Sequence, residues 1–128
     1  MTKLLGDIER AAHEAARNTD RRADMAVFQS KMAAALRKRE LSFQRQVWIP
    51  EHWAGMELNC GDLFDFEVEG KVAVVLASSA RELLEREKRL GEALCRTGLA
   101  AGIVVWLDTN RKEDRCRRVV PAGCGAGA

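Results

Sequence analysis

The chain lacks several features that would identify a common type of functional site. Its four cysteines show no CxxC spacing and no histidine pair accompanies them, so neither a zinc site nor a dithiol redox motif is indicated. No apolar run approaches the roughly 20 residues that span a membrane, and the N-terminal segment is charged and amphipathic instead of resembling a signal peptide. We therefore expect a soluble, cytoplasmic protein with reduced thiols and no membrane contact.

An excess of charge of one sign is also lacking. Lys and Arg total 21 against 19 for Asp and Glu, which gives a net charge of +2. So small an excess does not require a polyanionic partner, and any contact with nucleic acid would need a local basic patch. The two histidines, His13 and His52, have no serine or cysteine placed to form a recognisable nucleophile and base.

The residues that are present suffice for one compact domain. Of 128 residues, 47% are hydrophobic, which is enough to bury one continuous core. We expect a single domain over residues 1–120. Residues 121–128 are mostly Gly and Ala and offer little to pack, so a disordered tail is predicted there.

Apolar spacing divides the domain into helices and strands. Steps of three and four residues predict helices over 3–18 and 25–40, and a capping box at Ser79-Ala80-Arg81-Glu82 begins a third helix that Gly98 ends. Extended segments are predicted at 42–49, 56–58, 101–107 and 117–120, with a hairpin at 63–77 bent at Glu69-Gly70 and a turn-rich loop at 51–55. This order predicts an α/β fold in which helices flank a mixed β-sheet containing one parallel β-α-β unit.

Several local strings resemble the GxxExxY branch of the PD-(D/E)XK nuclease superfamily. Ala-Leu-Arg-Lys-Arg at 35–39, followed by Phe43-Gln44-Arg45-Gln46-Val47, is similar to that family's second helix and first strand. Val68-Glu69-Gly70-Lys71-Val72 is similar to its hairpin, Thr97-Gly98-Leu99 to its helix end and Arg117-Arg118-Val119-Val120 to its last strand. The resemblance covers residues 4–120 and implies a restriction-endonuclease-like fold.

The resemblance also implies which positions correspond to the family's active site. There, an early glutamate, a hairpin aspartate, and a glutamate and a lysine two residues apart on the next strand bind a divalent metal and stabilise charge. Those four positions, and a glutamine often found on the following helix, correspond here to Met25, Asp65, Val75, Ala77 and Arg89. The GxxExxY signature itself falls on Arg22, Met25 and Phe28. Because one carboxylate cannot supply the oxygen ligands of Mg²⁺, we expect no catalytic residue, no metal and no cofactor.

Asp65 would then be left without its metal, and two structural predictions concern it. Arg89 could pair with this carboxylate bidentately, so that a guanidinium replaces the metal. The alternative is an exposed pair of Arg89 with Glu85.

The length of the hairpin turn decides which residue lies opposite Asp65. A three-residue turn at 69–71 would place Asp65 opposite Val75, whereas a two-residue turn would place it opposite Val74. The resemblance requires the longer turn or a bulge.

Three functions follow from these patterns. The first is a catalytically inactive nuclease-like domain that binds another protein or a second copy of itself. The second is a non-cleaving nucleic-acid-binding protein that uses the basic residues Arg111, Lys112, Arg115, Arg117 and Arg118 to bind phosphates. The tryptophans Trp48, Trp53 and Trp106 would then be stacking surfaces for bases. The alternative is that the basic run forms a solvated turn and that Trp106 fills the emptied cleft. The third is a nuclease with a metal site rebuilt from Asp62, Asp65 and Glu67, against which these residues form a solvated strand edge. We favour the first.

Overall fold

A computed structural model describes residues 1–20, 24–48, 51–53, 56–58, 63–109 and 111–122. The helices are α1 (Thr2–Arg17), α2 (Met25–Lys38), α3 (Ala80–Thr97) and the short α4 (Lys112–Arg115). The strands are β1 (Phe43–Trp48), β2 (Glu51–Trp53), β3 (Met56–Leu58), β4 (Leu63–Val68), β5 (Val72–Ala77), β6 (Ala101–Trp106) and β7 (Cys116–Val119). A five-stranded sheet has the order β1-β4-β5-β6-β7, in which only β5 and β6 pair in parallel, and β2 and β3 form a separate hairpin. The predicted α/β fold with a mixed sheet is confirmed.

The sheet separates two hydrophobic clusters. Alternate side chains of a strand point to opposite sides of the sheet. All six residues of β5 are buried, so both of its faces are covered. Val72, Val74 and Leu76 pack with α1 and α2 in the first cluster, which also contains Phe28, Met32 and Phe66. Ala73, Val75 and Ala77 pack with α3 in the second cluster, which also contains Leu83, Leu90 and Phe64. The domain therefore has three layers, and β5 lies in its centre.

The predicted ends of α3 are confirmed. The Ser79 hydroxyl accepts a hydrogen bond from the Glu82 amide at 3.1 Å, which satisfies one of the amides left unpaired in the first turn of a helix. Gly98 ends α3 in the left-handed region at φ 74°, and its amide donates to the Leu94 carbonyl at 2.9 Å. These caps fix where α3 begins and ends relative to β5 and β6.

The longer of the two hairpin turns is the one that forms. Val68 lies opposite Val72 and Phe66 opposite Val74, so the turn contains three residues, Glu69 to Lys71. Glu69 and Gly70 adopt positive φ angles of 54° and 64°, and the Lys71 amide donates to the Val68 carbonyl at 3.0 Å. The paired register of the hairpin ends with Phe66 opposite Val74.

Two local predictions were wrong. Glu51–Trp53, expected in a loop, forms β2, because its pairing with β3 supplies backbone partners that no local pattern shows. The charged turn before the last strand contains α4. At the start of the predicted tail, the Ala122 amide donates to the Gly91 carbonyl at 2.9 Å, and residues 123–128 lie outside the described residues.

The expectation of reduced thiols needs correction as well. Cys95 is disulfide-bonded, while Cys116 is free. A disulfide is more typical of oxidising compartments than of the cytosol, so the cytoplasmic location inferred from reduced thiols loses that support. Within the described ranges, no helix is long and apolar enough to cross a membrane.

Gly102 allows α3 to approach β6 closely, and its substitution gives a first testable prediction. A Cβ at residue 102 would lie 2.7 Å from Leu90 Cδ2 and 2.9 Å from Leu90 Cγ. Gly102→Ala is therefore expected to lower the free energy of unfolding by about 1–2 kcal/mol, because the leucine must shift.

Urea unfolding of Gly102→Ala, Leu90→Ala and the double variant checks this prediction. Leu90→Ala alone should cost about 2–5 kcal/mol through the cavity that it leaves. The double variant should lose less than the sum of the two single losses, since the shortened side chain makes room for the new methyl group. Strictly additive losses would contradict the proposed clash.

Candidate functional site

A cleft of about 260 Å³ opens at one end of the sheet, where α2 and α3 begin. Asp65 lies in it on β4, beside Gln46 of β1 and Leu76 of β5. The remaining lining residues come from the first two turns of the two helices: Met25, Ala26, Gln29, Glu82 and Arg86. The cleft thus combines a carboxylate, an ion pair, two amides and an apolar wall.

A change of face in two strands places Asp65 in this cleft. The register of β1 with β4 is continuous except at Gln46 and Asp65, which are skipped between the pairs Arg45–Phe66 and Val47–Phe64. Phe66 packs in the first hydrophobic cluster and Phe64 in the second, although residues two apart on a regular strand share a face. Gln46 has a positive φ of 53°. Both strands therefore switch faces at the site, and no sequence signal indicated this.

Neutral donors hold the Asp65 carboxylate. Its Oδ2 accepts from the Leu76 amide at 2.8 Å, and its Oδ1 accepts from Gln29 Nε2 at 3.1 Å. Arg45 Nη2 donates to Gln29 Oε1 at 2.9 Å, which fixes the orientation of that amide. Burial raises the pKa of Asp65, and this effect outweighs the opposing effects of the Leu76 amide, the Arg86 charge and the Gln29 amide.

The second carboxylate of the cleft, Glu82, is already neutralised. Arg86 Nε donates to Glu82 Oε1 at 2.6 Å, and the Ser78 hydroxyl donates to Glu82 Oε2. The hydrogen bond from Ser78 and the Arg86 guanidinium hold the pKa of Glu82 below its ordinary value. Of the two carboxylates, Asp65 is the one without a directly bonded cation among the described residues.

Of the two pairings considered for Arg89, the one with Asp65 does not form, since the described hydrogen-bond partners of this carboxylate are Gln29 and the Leu76 amide. Arg86 shares the cleft with Asp65 and is the arginine whose charge acts on it. Arg89 lies about one helical turn further along α3 and is exposed. The described lining of the cleft therefore contains Arg86 in place of Arg89, and sequence alone does not fix the rotation of α3 that decides between them.

The other active-site positions inferred from the resemblance separate into two groups. Met25 lies in the cleft with Asp65. Val75 and Ala77 are 6% and 0% exposed and belong to the hydrophobic cluster under α3. Trp106 lies beside Ala77 in the parallel register and packs against the same cluster. Of the signature positions, Phe28 is a core residue, and residue 22 lies outside the described residues.

The alternative metal site is not assembled by the residues that the structure describes. Glu67 lines a different cleft, with Ser42, Glu69 and Gly70 among its neighbours, so it does not share a cleft with Asp65. Asp62, the third residue of that hypothesis, lies outside the described part. Within that part, no group of three or more His, Cys, Asp or Glu side chains could hold a metal ion.

The basic run has intramolecular partners for each of its four arginines. Arg118 Nε and Nη2 donate to the Glu9 carboxylate at 2.9 and 2.8 Å, and Arg117 lies 3.7 Å from Glu87. Arg115 Nη1 donates to the Leu107 carbonyl at 3.0 Å. Arg111 lies 3.7 Å from Glu113 and 3.8 Å from Asp114. Lys112 belongs to α4, and its side chain is outside the described set.

Comparison with known protein families gives a match over most of the chain. A family model described as the PD-(D/E)XK nuclease superfamily matches residues 2–119. No curated protein and no solved structure matches the chain. The matched span contains every strand and helix described above and the whole lining of the Asp65 cleft.

Proposed function

Since the chain belongs to the PD-(D/E)XK nuclease superfamily, we propose that it is a catalytically inactive member that acts as a protein-binding or assembly module. The relationship proposed within the superfamily is to the GxxExxY branch. In this interpretation the domain has kept the nuclease fold and lost the metal-dependent chemistry. The partner is another protein or a second copy of the chain.

The observation that carries this proposal is the burial of Val75 and Ala77. These positions correspond to the glutamate and lysine of the family's active site, and here their side chains continue the core beneath α3. A charge placed there without a partner would be costly. Asp65 remains, but it accepts from an amide side chain and a backbone amide, and Glu82 is bonded to Arg86. One such carboxylate does not provide the oxygen ligands that Mg²⁺ prefers.

The contacts of the basic run favour a protein partner over a nucleic acid. Apolar side chains are exposed at Trp48, Leu84 and Val27, with 53%, 63% and 43% of their surface accessible, but single exposed apolar residues are common on protein surfaces and do not by themselves indicate a partner. The arginines of the basic run pair with acidic groups or carbonyls of the chain, so binding to phosphates would have to compete with these contacts. Non-cleaving binding of nucleic acid remains the second candidate, tested alongside the first.

A nuclease assay tests the loss of catalysis. Wild type and Asp65→Ala are incubated with double- and single-stranded DNA and with RNA, in Mg²⁺ and in Mn²⁺. We expect no cleavage above background by either protein. Cleavage by wild type in Mn²⁺ that Asp65→Ala abolishes would refute the proposal and favour the rebuilt metal site.

Two further measurements separate the kinds of partner. Light scattering coupled to size-exclusion chromatography should show a second copy if the chain assembles with itself, and a pull-down from the native host followed by identification should show a protein partner. Binding to DNA or RNA that weakens steeply with salt would instead favour the nucleic-acid candidate.

A further inference from the structure

We propose that the Asp65 cleft binds an arginine side chain of a partner protein, whose guanidinium pairs with the Asp65 carboxylate. The inference rests on the proposed function, because a nuclease would need the same carboxylate for its metal. It adds the place of contact and the chemistry of the partner.

The hydrogen bonds of Asp65 leave room for this pairing. From the residues that the structure describes, Oδ1 accepts one bond, from Gln29 Nε2 at 3.1 Å, and Oδ2 accepts one bond, from the Leu76 amide at 2.8 Å. Each carboxylate oxygen has two lone pairs, so each retains one that no described residue uses. A guanidinium donates two parallel N–H groups and can use one lone pair on each oxygen, which a lysine ammonium does less well.

The charges of the cleft favour a monovalent cation. Its described lining contains two carboxylates, Asp65 and Glu82, and one guanidinium, Arg86. Arg86 is bonded to Glu82, so the negative charge of Asp65 is the one left over. Burial already disfavours this charge in the absence of a bonded cation, and an incoming guanidinium would stabilise it.

The remaining walls suit the stem of an arginine side chain. Met25, Ala26 and Leu76 give the cleft an apolar side, along which the methylene groups of arginine can pack while the head reaches the carboxylate. Gln29 is held by Arg45 with its Nε2 toward Asp65. The carboxylate is therefore oriented before the partner arrives, which reduces the entropy lost on binding.

A titration with N-acetyl-arginine amide tests the inference. The side-chain amide signals of Gln29 and the backbone amide signal of Leu76 are followed by NMR. We expect saturable shifts of both at millimolar concentration. N-acetyl-citrulline amide has nearly the same shape without the charge and should bind at least about tenfold more weakly. Equal affinity for the two compounds, or no saturable shift with the arginine compound, would overturn the inference.

Three variants locate the binding. Asp65→Asn should abolish the shifts, whereas Glu85→Gln removes the same charge from α3 outside the cleft and should leave them unchanged. Glu82→Gln/Arg86→Gln removes the ion pair as a whole, keeps the net charge of the cleft and leaves Asp65 as the carboxylate of its described lining. This double variant should bind the arginine compound at least as tightly as wild type, so the inference stays testable even if Asp65→Asn does not fold. Weaker binding by the double variant, or equal loss in Glu85→Gln and Asp65→Asn, would refute it.

The two proposals fail in different ways. If the protein neither binds arginine nor cleaves nucleic acid, the arginine-binding inference is wrong and the proposal of a catalytically inactive module is retained. Cleavage in Mn²⁺ that depends on Asp65 would remove both.

Discussion

Val75→Glu is expected to cost the protein about 3–5 kcal/mol of its free energy of unfolding, because the new carboxylate would be buried without a partner. Val75 is 6% exposed and lies in the cluster formed by the sheet and α3. A typical domain is stable by only about 5–15 kcal/mol. Restoring the glutamate that corresponds to the family's active site should therefore bring this chain close to unfolding.

The lysine position extends the same test. Ala77 is fully buried, so Ala77→Lys alone should also be strongly destabilising. In the variant carrying both Val75→Glu and Ala77→Lys, the two charges lie on one face of β5 and can partly compensate each other. We expect its loss to be smaller than the sum of the single losses.

Urea unfolding followed by circular dichroism measures these effects, with Leu84→Glu as the matched control. Leu84 is 63% exposed on α3, so the same kind of substitution should change stability by no more than about 0.5 kcal/mol there. A double variant as stable as wild type that cleaves DNA in Mn²⁺ would contradict our interpretation. It would show that restoring these two side chains is enough to restore cleavage.

The sequence predicted the fold well where the relevant interactions are local. The periodicity of α1 and α2, the Ser79 and Gly98 caps of α3 and the apolar run of β5 each depend on residues within one element. The three-residue turn at 69–71 was predicted because the inferred site required it, and the register confirms it.

The site was predicted only in part, because its geometry depends on contacts between distant elements. Asp65 and Met25 were correctly placed together, but the hydrogen bond from Gln29 to Asp65 joins residues 36 positions apart. The choice of Arg86 over Arg89 depends on how α3 is rotated on the sheet. The change of face at Gln46 and Asp65 arises where two strands pair, and neither strand shows it alone. These features require the tertiary structure.

Asp65→Ala should be destabilising even though the carboxylate is partly desolvated. The substitution removes the acceptor of the Leu76 amide and of Gln29 Nε2. A buried donor left unsatisfied costs about 1–3 kcal/mol, so we expect a loss of about 2–4 kcal/mol at neutral pH. Gln29→Leu is the matched control. It removes the Gln29 donor, but the Asp65 carboxylate still accepts from the Leu76 amide, so this variant should lose less stability than Asp65→Ala.

The pH dependence of the stability lost in Asp65→Ala tests whether folding raises the pKa of the Asp65 carboxylate. Burial raises the pKa of Asp65 above its ordinary value of 3.8, so the folded state binds this proton more tightly than the unfolded state does. Its contribution to stability is therefore fully present below the unfolded pKa and declines as the pH rises through the raised folded pKa. The stability difference between wild type and Asp65→Ala should be larger near pH 4 than at pH 7, since other titrating groups affect both proteins alike. Paired urea unfolding curves across this range measure the difference, and a difference that grows as the pH rises would mean that the folded state lowers the pKa of Asp65.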